Sequence, residues 1–524
     1  MEENKNRPIN SEEAFLREVD TEWDVEQFLA QKKGEPLPQP PEQPMVNDAA
    51  RPEEKPRNPE RPAARPRTQT ATTERPAQQR KPAKKQKVNY RGWAQLILAA
   101  VLVIAIIIVL IVLIGKIVSG GASDAPETET TETVQSREQI ISDLIARADR
   151  LASGYDYEGA VNVLREYGTD WMQQPELMEV NARYQSAQSL LVKWSDVSKV
   201  SMLSFHSLIA DPARAFDGGS QESYYRDYMV TVTEFKAILQ ELYNKNYILI
   251  GIHDLYKTGA DGKYSPEELY LPDGKKPLIL VQDDLNYGPT MTDGNGDGYA
   301  DKDGDGFASR LVLDENGKIT CEYITFDGKV DQGDYDLVPV LESFISEHPD
   351  FSFRGARGIL SLTGANGVFG YHTSSAWKEK LDSATYNAEV DGARKVADAL
   401  KAQGWEFASH TYDHISYGDA KAEELAKDLK LWKEEVQSIV GDTDLLMYPK
   451  GGGLYGSLYG TDDAIYKEIY SYGFRVFCNV DTEMTELRFF DTYLRINRTP
   501  VGGQWFDGLD EFFNGSKIKD SARK

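Results

Sequence analysis

Apolar positions along the chain fall into distinct regimes. Residues 96–114 are all apolar, and a helix rising ~1.5 Å per residue carries such a run across roughly 28 Å, about the thickness of a bilayer's hydrocarbon core. The pattern predicts one membrane-spanning helix over 93–118. From 135 to 196 the apolar residues recur at helical spacing, with Ile140, Ile141, Leu144, Ile145 and Leu151 on one face, a turn near Tyr155, and two further helices. This segment reads as a helical stalk. Beyond it, short apolar runs at 201–205, 247–252, 276–281, 358–362, 405–408, 445–448 and 475–479 alternate with helical patterns at 231–244, 335–347, 392–403, 421–440 and 462–472. Repeated β-then-α order predicts an α/β domain with a mostly parallel sheet or barrel, its loops gathered at the carboxyl ends of the strands.

Composition separates the N-terminal segment from the rest. Residues 1–92 hold 13 of the 24 prolines, with 18 Lys and Arg against 16 Asp and Glu. Too few apolar residues remain there to offset ordering entropy, so a disordered tail is expected. Within it, Phe15, Val19, Trp23, Phe28 and Leu29 would line one face of a short helix over 11–31, either transient or docking a cytoplasmic partner. Lys81, Lys84, Lys85, Lys87 and Arg91 precede the apolar run, and only Lys116 sits at its far end. The positive-inside rule then puts the tail in the cytoplasm and everything after the anchor outside, beginning with a polar linker over 119–134. The run starts too late in the chain, and lacks the cleavage site, for a removed signal peptide.

The net charge of −25 is concentrated in the exported part, where residues 119–524 carry −28. Such a surface argues against nucleic acid and tolerates a neutral or cationic glycan. Cys321 and Cys478 are the only cysteines. They form either one bridge or two buried free thiols.

Candidate chemistry lies in two polar motifs far apart in the chain. Gln282-Asp283-Asp284 closes the apolar run 277–281, and His410-Thr-Tyr-Asp-His414 places two imidazoles four residues apart, a spacing that on a helical turn aims both at one point. Taken alone, paired Asp residues after a strand are a turn or capping device, and a His pair is only suggestive. Together, Asp, His and His supply three ligands and leave a position open for water, as at a catalytic zinc. A further constellation, Asp293, Asn295, Asp297 and Asp301 followed by Asp303 and Asp305, has oxygen side chains at alternate positions with Gly after the third. It matches the start of a calcium loop, although Gly304 and Val312 stand where an EF-hand has its closing Glu. The readings are a calcium loop similar to dockerin-type or thrombospondin-type repeats, or a flexible acidic insertion, within an Asp/Gly-rich insertion over 286–335.

Strand-Asp-Asp followed by His-Thr-x-x-His resembles the NodB-homology polysaccharide deacetylases, which remove N-acetyl groups from amino-sugar polymers. Leu446-Met-Tyr-Pro-Lys-Gly451 falls where that family has an Arg-x-Pro-x-Gly loop, and the resemblance runs over 197–515. It implies a distorted (β/α) barrel in which Asp284, His410 and His414 hold zinc or another divalent metal. Asp283 would be the general base, and a backbone N–H in the Tyr448-Pro449-Lys450 loop would stabilise the oxyanion. Two positions depart from the family pattern. Met447 replaces the Arg that orients the base, and Arg498, which cannot give up a proton, replaces the His of the late Leu-x-Leu-x-His motif. Ser204-Phe205-His206 resembles the Tyr-His of the branch acting on poly-N-acetylglucosamine, which makes His206 the candidate acid. The other reading of His206 is a hydrogen-bonded histidine at a strand end. The function implied is a membrane-anchored extracellular deacetylase of peptidoglycan or poly-N-acetylglucosamine. The alternative is a catalytically impaired glycan-binding or sensing protein of the same fold. Tyr287, Tyr371, Trp377, Tyr412 and Trp505 are either exposed platforms for sugar faces or, as aromatics more often are, part of the core.

Overall fold

The computed structural model describes residues 136–451, 464–480 and 487–523. The tail 1–92 with its helix at 11–31, the anchor 93–118 and the linker 119–134 lie outside the described residues. Among the described residues no helix is long and apolar enough to cross a membrane.

Seven parallel strands close into a barrel: β1 Ser201–Phe205, β2 Lys276–Asp283, β3 Ile359–Leu362, β4 Glu406–Ser409, β5 Leu445–Met447, β6 Val476–Val480 and β7 Leu494–Pro500. They neighbour one another in chain order, and β7 returns to pair with β1 through Thr499↔Leu203 and Pro500↔Ser204. A short strand, Tyr247–Leu249, adds to the start of β2 outside this ring. The expected strand over 247–252 is cut short because the chain turns at Gly251 into a 3-10 turn over Ile252–Leu255.

Strand residues alternate between two apolar clusters. Leu203, Leu280, Leu360, Phe407, Leu446 and Phe477 pack outward among helix residues such as Phe235, Leu341, Val396 and Leu429. Met202, Ile279, Val281, Ile359, Ala408, Met447, Cys478 and Ile496 form the other cluster, which fills the lumen. Each such aliphatic side chain contributes on the order of 1.5–3 kcal/mol by leaving water. The period of two that builds this lumen also decides which polar residues face inward at its upper end.

The outer helices follow the expected order. Val232–Asn244 opens with a capping box between Thr231 and Glu234. Ser383–Gln403 begins well before the expected Gly392, capped by Asp382. Gly392 sits within the helix because a Cβ there would come within 2.4 Å of the Tyr371 ring. The insertion is more ordered than its composition suggests: Arg310–Leu313, Ile319–Ile324 and Val330–Gly333 form an antiparallel meander, and Leu311, Ile319 and Cys321 join the outer core. Both cysteines are buried free thiols, in different clusters.

The helical segment consists of Arg137–Ser153, Tyr157–Arg165 and Pro175–Gln188 around a small core that includes Ala148, Leu164 and Leu177. It docks on the barrel domain. The Gly154 carbonyl accepts from Arg354 N at 2.7 Å, and Val192–Lys193 pairs with Tyr270–Leu271. At the other end the fold continues past 515 to Arg523, whose guanidinium is buried against Glu234, with Nε to Oε1 at 2.6 Å.

Candidate active site

Asp283 is the last residue of β2 and stands in line with Ile279 and Val281, so strand alternation turns its carboxylate into the top of the lumen. Arg498 reaches it from β7, where Leu494, Ile496 and Arg498 share the inward face. Its Nε donates to Asp283 Oδ2 at 3.0 Å, Nη1 to the Cys478 carbonyl at 3.1 Å and Nη2 to the Tyr448 carbonyl at 3.0 Å. Both side chains are buried. Burial alone would raise the Asp283 carboxyl, but the Arg498 charge, followed by His410 and His206, holds it below the usual carboxylate range. Asp283 Oδ1 is buried and has no hydrogen-bond partner among the described residues. The guanidinium absent at Met447 is therefore supplied by Arg498, while Met447 fills the lumen below.

Asp284 turns out of the strand in a left-handed conformation, φ 55°. The histidine motif follows β4. The helical turn expected over 410–414 is not formed, because Thr411 and His414 have φ of 61° and 54° and the segment is a loop. Asp428 pins it by accepting Tyr412 N and Asp413 N, each at 2.8 Å, on its two oxygens. Left-handed residues of this kind cost on the order of 1–3 kcal/mol each and persist where surrounding structure over-determines them. Here the conformation brings ligand atoms of Asp284, His410 and His414 within 4.8 Å of one another. His414 Nε2 lies 3.4 Å and His410 Nε2 3.9 Å from Asp284 Oδ2. The other nitrogen of His410, Nδ1, is 2.9 Å from the Met447 carbonyl, which fixes the tautomer with Nε2 as the lone-pair nitrogen facing Asp284. Burial lowers the His410 pKa and favours the neutral, ligating form. Two imidazoles and a carboxylate converging this way fit a divalent ion, and no other group of three His, Cys, Asp or Glu side chains converges so among the described residues.

His206 is buried just beyond β1 and is one of the groups whose charge acts on Asp283. In the following loop, Tyr448 departs from expectation. Its ring packs in the outer cluster, and its N–H already donates to the Cys478 carbonyl at 2.9 Å. Pro449 has no N–H, which narrows the expected oxyanion donor to Lys450, at φ 55°.

Asp336 was missed by sequence reasoning. Fully buried at the head of helix Leu337–Glu347, it accepts Leu208 N at 2.7 Å, Gln282 Nε2 at 2.7 Å and Tyr287 Oη at 2.6 Å. It thus ties the segment after His206 to the segment around Asp283. An acidic residue in the first turn of the helix predicted over 335–347 was the available signal.

The calcium candidates divide. Asp293, Asn295, Asp297 and Asp301 accept backbone N–H groups of their own loop and of Asp303. Asp303 meets Lys302, and Asp305 turns away to Tyr225 Oη at 2.7 Å, so the six do not face one point. The aromatics take the core reading and not the platform one: Tyr287, Tyr371, Trp377, Tyr412 and Trp505 are all 4–8% exposed. Tyr287 and Tyr412 turn their hydroxyls to carboxylate partners, the buried Asp336 and the partly buried Glu435, as core tyrosines do.

Residues 372–476 match the family model for polysaccharide deacetylase. In that segment the chain carries a polysaccharide deacetylase domain. The match includes His410, His414 and the 448–450 loop and begins after Asp283 and Asp284, which the insertion separates from them. A polysaccharide deacetylase domain implies a glycan substrate and, at the level of the family, hydrolysis of N-acetyl groups. A solved structure, the Streptococcus pyogenes deacetylase PplD in complex with acetate, is similar at 13% identity and a TM-score of 0.32, over 58% of this chain and 93% of that chain. No curated protein matches the chain.

Proposed function

We propose that this polysaccharide deacetylase domain is a metal-dependent N-deacetylase held outside the cell by the 93–118 anchor, acting on the N-acetyl groups of peptidoglycan or poly-N-acetylglucosamine. The observation that carries the reading is the state of Asp283: one buried oxygen fixed by Arg498, the other without a hydrogen-bond partner among the described residues, beside three converging ligands. When bound by Asp284, His410 and His414, a divalent ion such as zinc supplies charge that polarises a carbonyl and acidifies water. The chain's own groups account for the rest. Arg498 keeps Asp283 ionised and aimed, so that Oδ1 can take a proton from attacking water. The Lys450 N–H would be the loop's donor to the developing oxyanion. His206 gives a proton to the departing amine, which leaves poorly without one. Calcium is proposed only for Asp293, Asn295, Asp297 and Asp301, where it would hold the loop.

The glycan-sensing alternative rested on Met447 and Arg498. The Arg498 contact with Asp283 favours catalysis, because a binding protein has no need of an oriented base. The test is free-amine release from chito-oligosaccharides and soluble peptidoglycan by the full-length, zinc-loaded protein, beside Asp283→Asn. Release that vanishes in the variant is expected. Absence of release from both substrates, with metal bound, would favour the sensing reading. Protease digestion of intact cells tests the topology: the barrel domain should be cleaved and the tail protected.

A further inference from the structure

The Asp/Gly-rich loop ends in an aromatic corner. Gly298 N donates to Asp293 Oδ2 at 2.5 Å and Tyr299 N to Asp297 Oδ1 at 2.9 Å, so the carboxylates set where Tyr299 stands. Gly298 has φ +90°, and a Cβ there would lie 2.8 Å from the Trp377 ring, so the loop passes directly over the indole. Tyr299 meets His372 at 5.0 Å and 88° and Trp377 at 5.3 Å and 63°, while those two rings stack on each other at 3.8 Å. Trp377 is buried, but Tyr299 is 46% exposed. An aromatic ring held from beneath and open to solvent is the arrangement on which the apolar face of a sugar stacks.

Beside this ring lies a cavity of about 220 Å³ whose polar lining includes Asn286, Asn366, Arg310 and Glu322. Two of its lining residues belong to segments that adjoin the metal ligands. Asn286 is two residues beyond Asp284 and donates to Thr363 Oγ1 at 2.7 Å. Asn366 lies in the loop whose Gly364 and Ala365 N–H groups hold the Tyr412 carbonyl, between His410 and His414. The lining mixes donors, acceptors and both signs of charge, as sugar hydroxyls and an acetamide require. Its volume is below the ~300–1,000 Å³ of sites for drug-sized ligands and suits one ring.

We propose that this cavity is a second sugar subsite, taking one N-acetylhexosamine ring of the polymer next to the unit at the metal centre, with its apolar face on Tyr299. The inference rests on the deacetylase reading and extends it: the loop 293–299 positions a substrate contact, and oligomers bind better than single sugars. The test is calorimetric titration of zinc-loaded, full-length Asp283→Asn protein with chitotetraose and a soluble peptidoglycan fragment, repeated with Tyr299→Ala or Tyr299→Phe added. Tyr299→Ala should weaken binding by on the order of tenfold, while Tyr299→Phe, which keeps the ring, stays close to the parent. Metal content should be the same in all three. Equal affinity in Tyr299→Ala overturns the subsite alone if the wild-type protein releases amine from the same glycans. No binding of either glycan by the parent overturns both the subsite and the deacetylase reading.

Discussion

Arg498 makes three contacts from inside the barrel, one to a carboxylate and two to main-chain carbonyls. Removing one partner of such a buried pair costs about 3–5 kcal/mol, because the other is left as an uncompensated charge. Arg498→Met should therefore retain metal, lose turnover by roughly a hundredfold or more as the base loses its orientation, and unfold at lower denaturant. Arg498→Lys should rescue little, since an ammonium cannot make the planar fork of contacts. Parallel metal analysis, rate measurement and denaturation would check this. Asp284→Ala and His410→Ala should instead lose the metal itself along with activity, and a variant that kept both would remove the assigned site. His206→Ala should keep metal and lose most turnover; full activity there would move the acid elsewhere. The residues of local motifs, Asp283, Asp284, His410 and His414, were legible in the sequence because each motif announces its chemistry within a few positions. The role of Arg498 was not, since it depends on a partner 215 residues away and on strand register. Even so, the inward run Leu494, Ile496, Arg498 carried a signal.

At the scale of elements, β/α order and most strand positions were readable because apolar runs and helical periodicity are local properties. The loops were not. The His-x-x-x-His spacing suggests a helical turn, and only the left-handed backbone at Thr411 and His414, held by Asp428, replaces it. The meander inside the insertion was hidden by the Gly and Asp density preceding it. The loop before Tyr256–Thr258 carries a separate electrostatic contact. His253, half-exposed, bridges Glu406 and Asp444. Burial draws its pKa down, but Asp444 and Glu406 outweigh this and lift it to about 10. A raised folded-state pKa means stability fully present below the unfolded value of ~6.5 and lost as pH rises through the folded one. His253→Gln should thus lower the melting temperature most near pH 6 and have little effect above pH ~10, with a size of about 1 kcal/mol once solvent screening is allowed for. Thermal scans across that pH range would decide it.

Across the described residues, the C-terminal segment is tied to the barrel domain. Arg523 closes on Glu234, which is 0% exposed and also caps its own helix. Arg523→Ala should cost about 3–5 kcal/mol by stranding that carboxylate, measurable by chemical denaturation. The packing of Ile518 and Arg523 beyond 515 was not legible, because those residues gain their meaning only from contact with distant residues. A different consequence follows from where the proposed catalytic groups sit in the order of synthesis. His206 directly follows the first barrel strand and Arg498 lies on the last, and the two strands are neighbours only after the ring has closed. Asp283 and the metal ligands emerge earlier, when no guanidinium is yet present to accompany the carboxylate into a dry lumen. An incomplete chain therefore has every ligand and no counter-charge, and closure around it is opposed. On the deacetylase reading, competence for hydrolysis arrives with the final strand, so the appearance of activity during translation would time the sealing of the barrel.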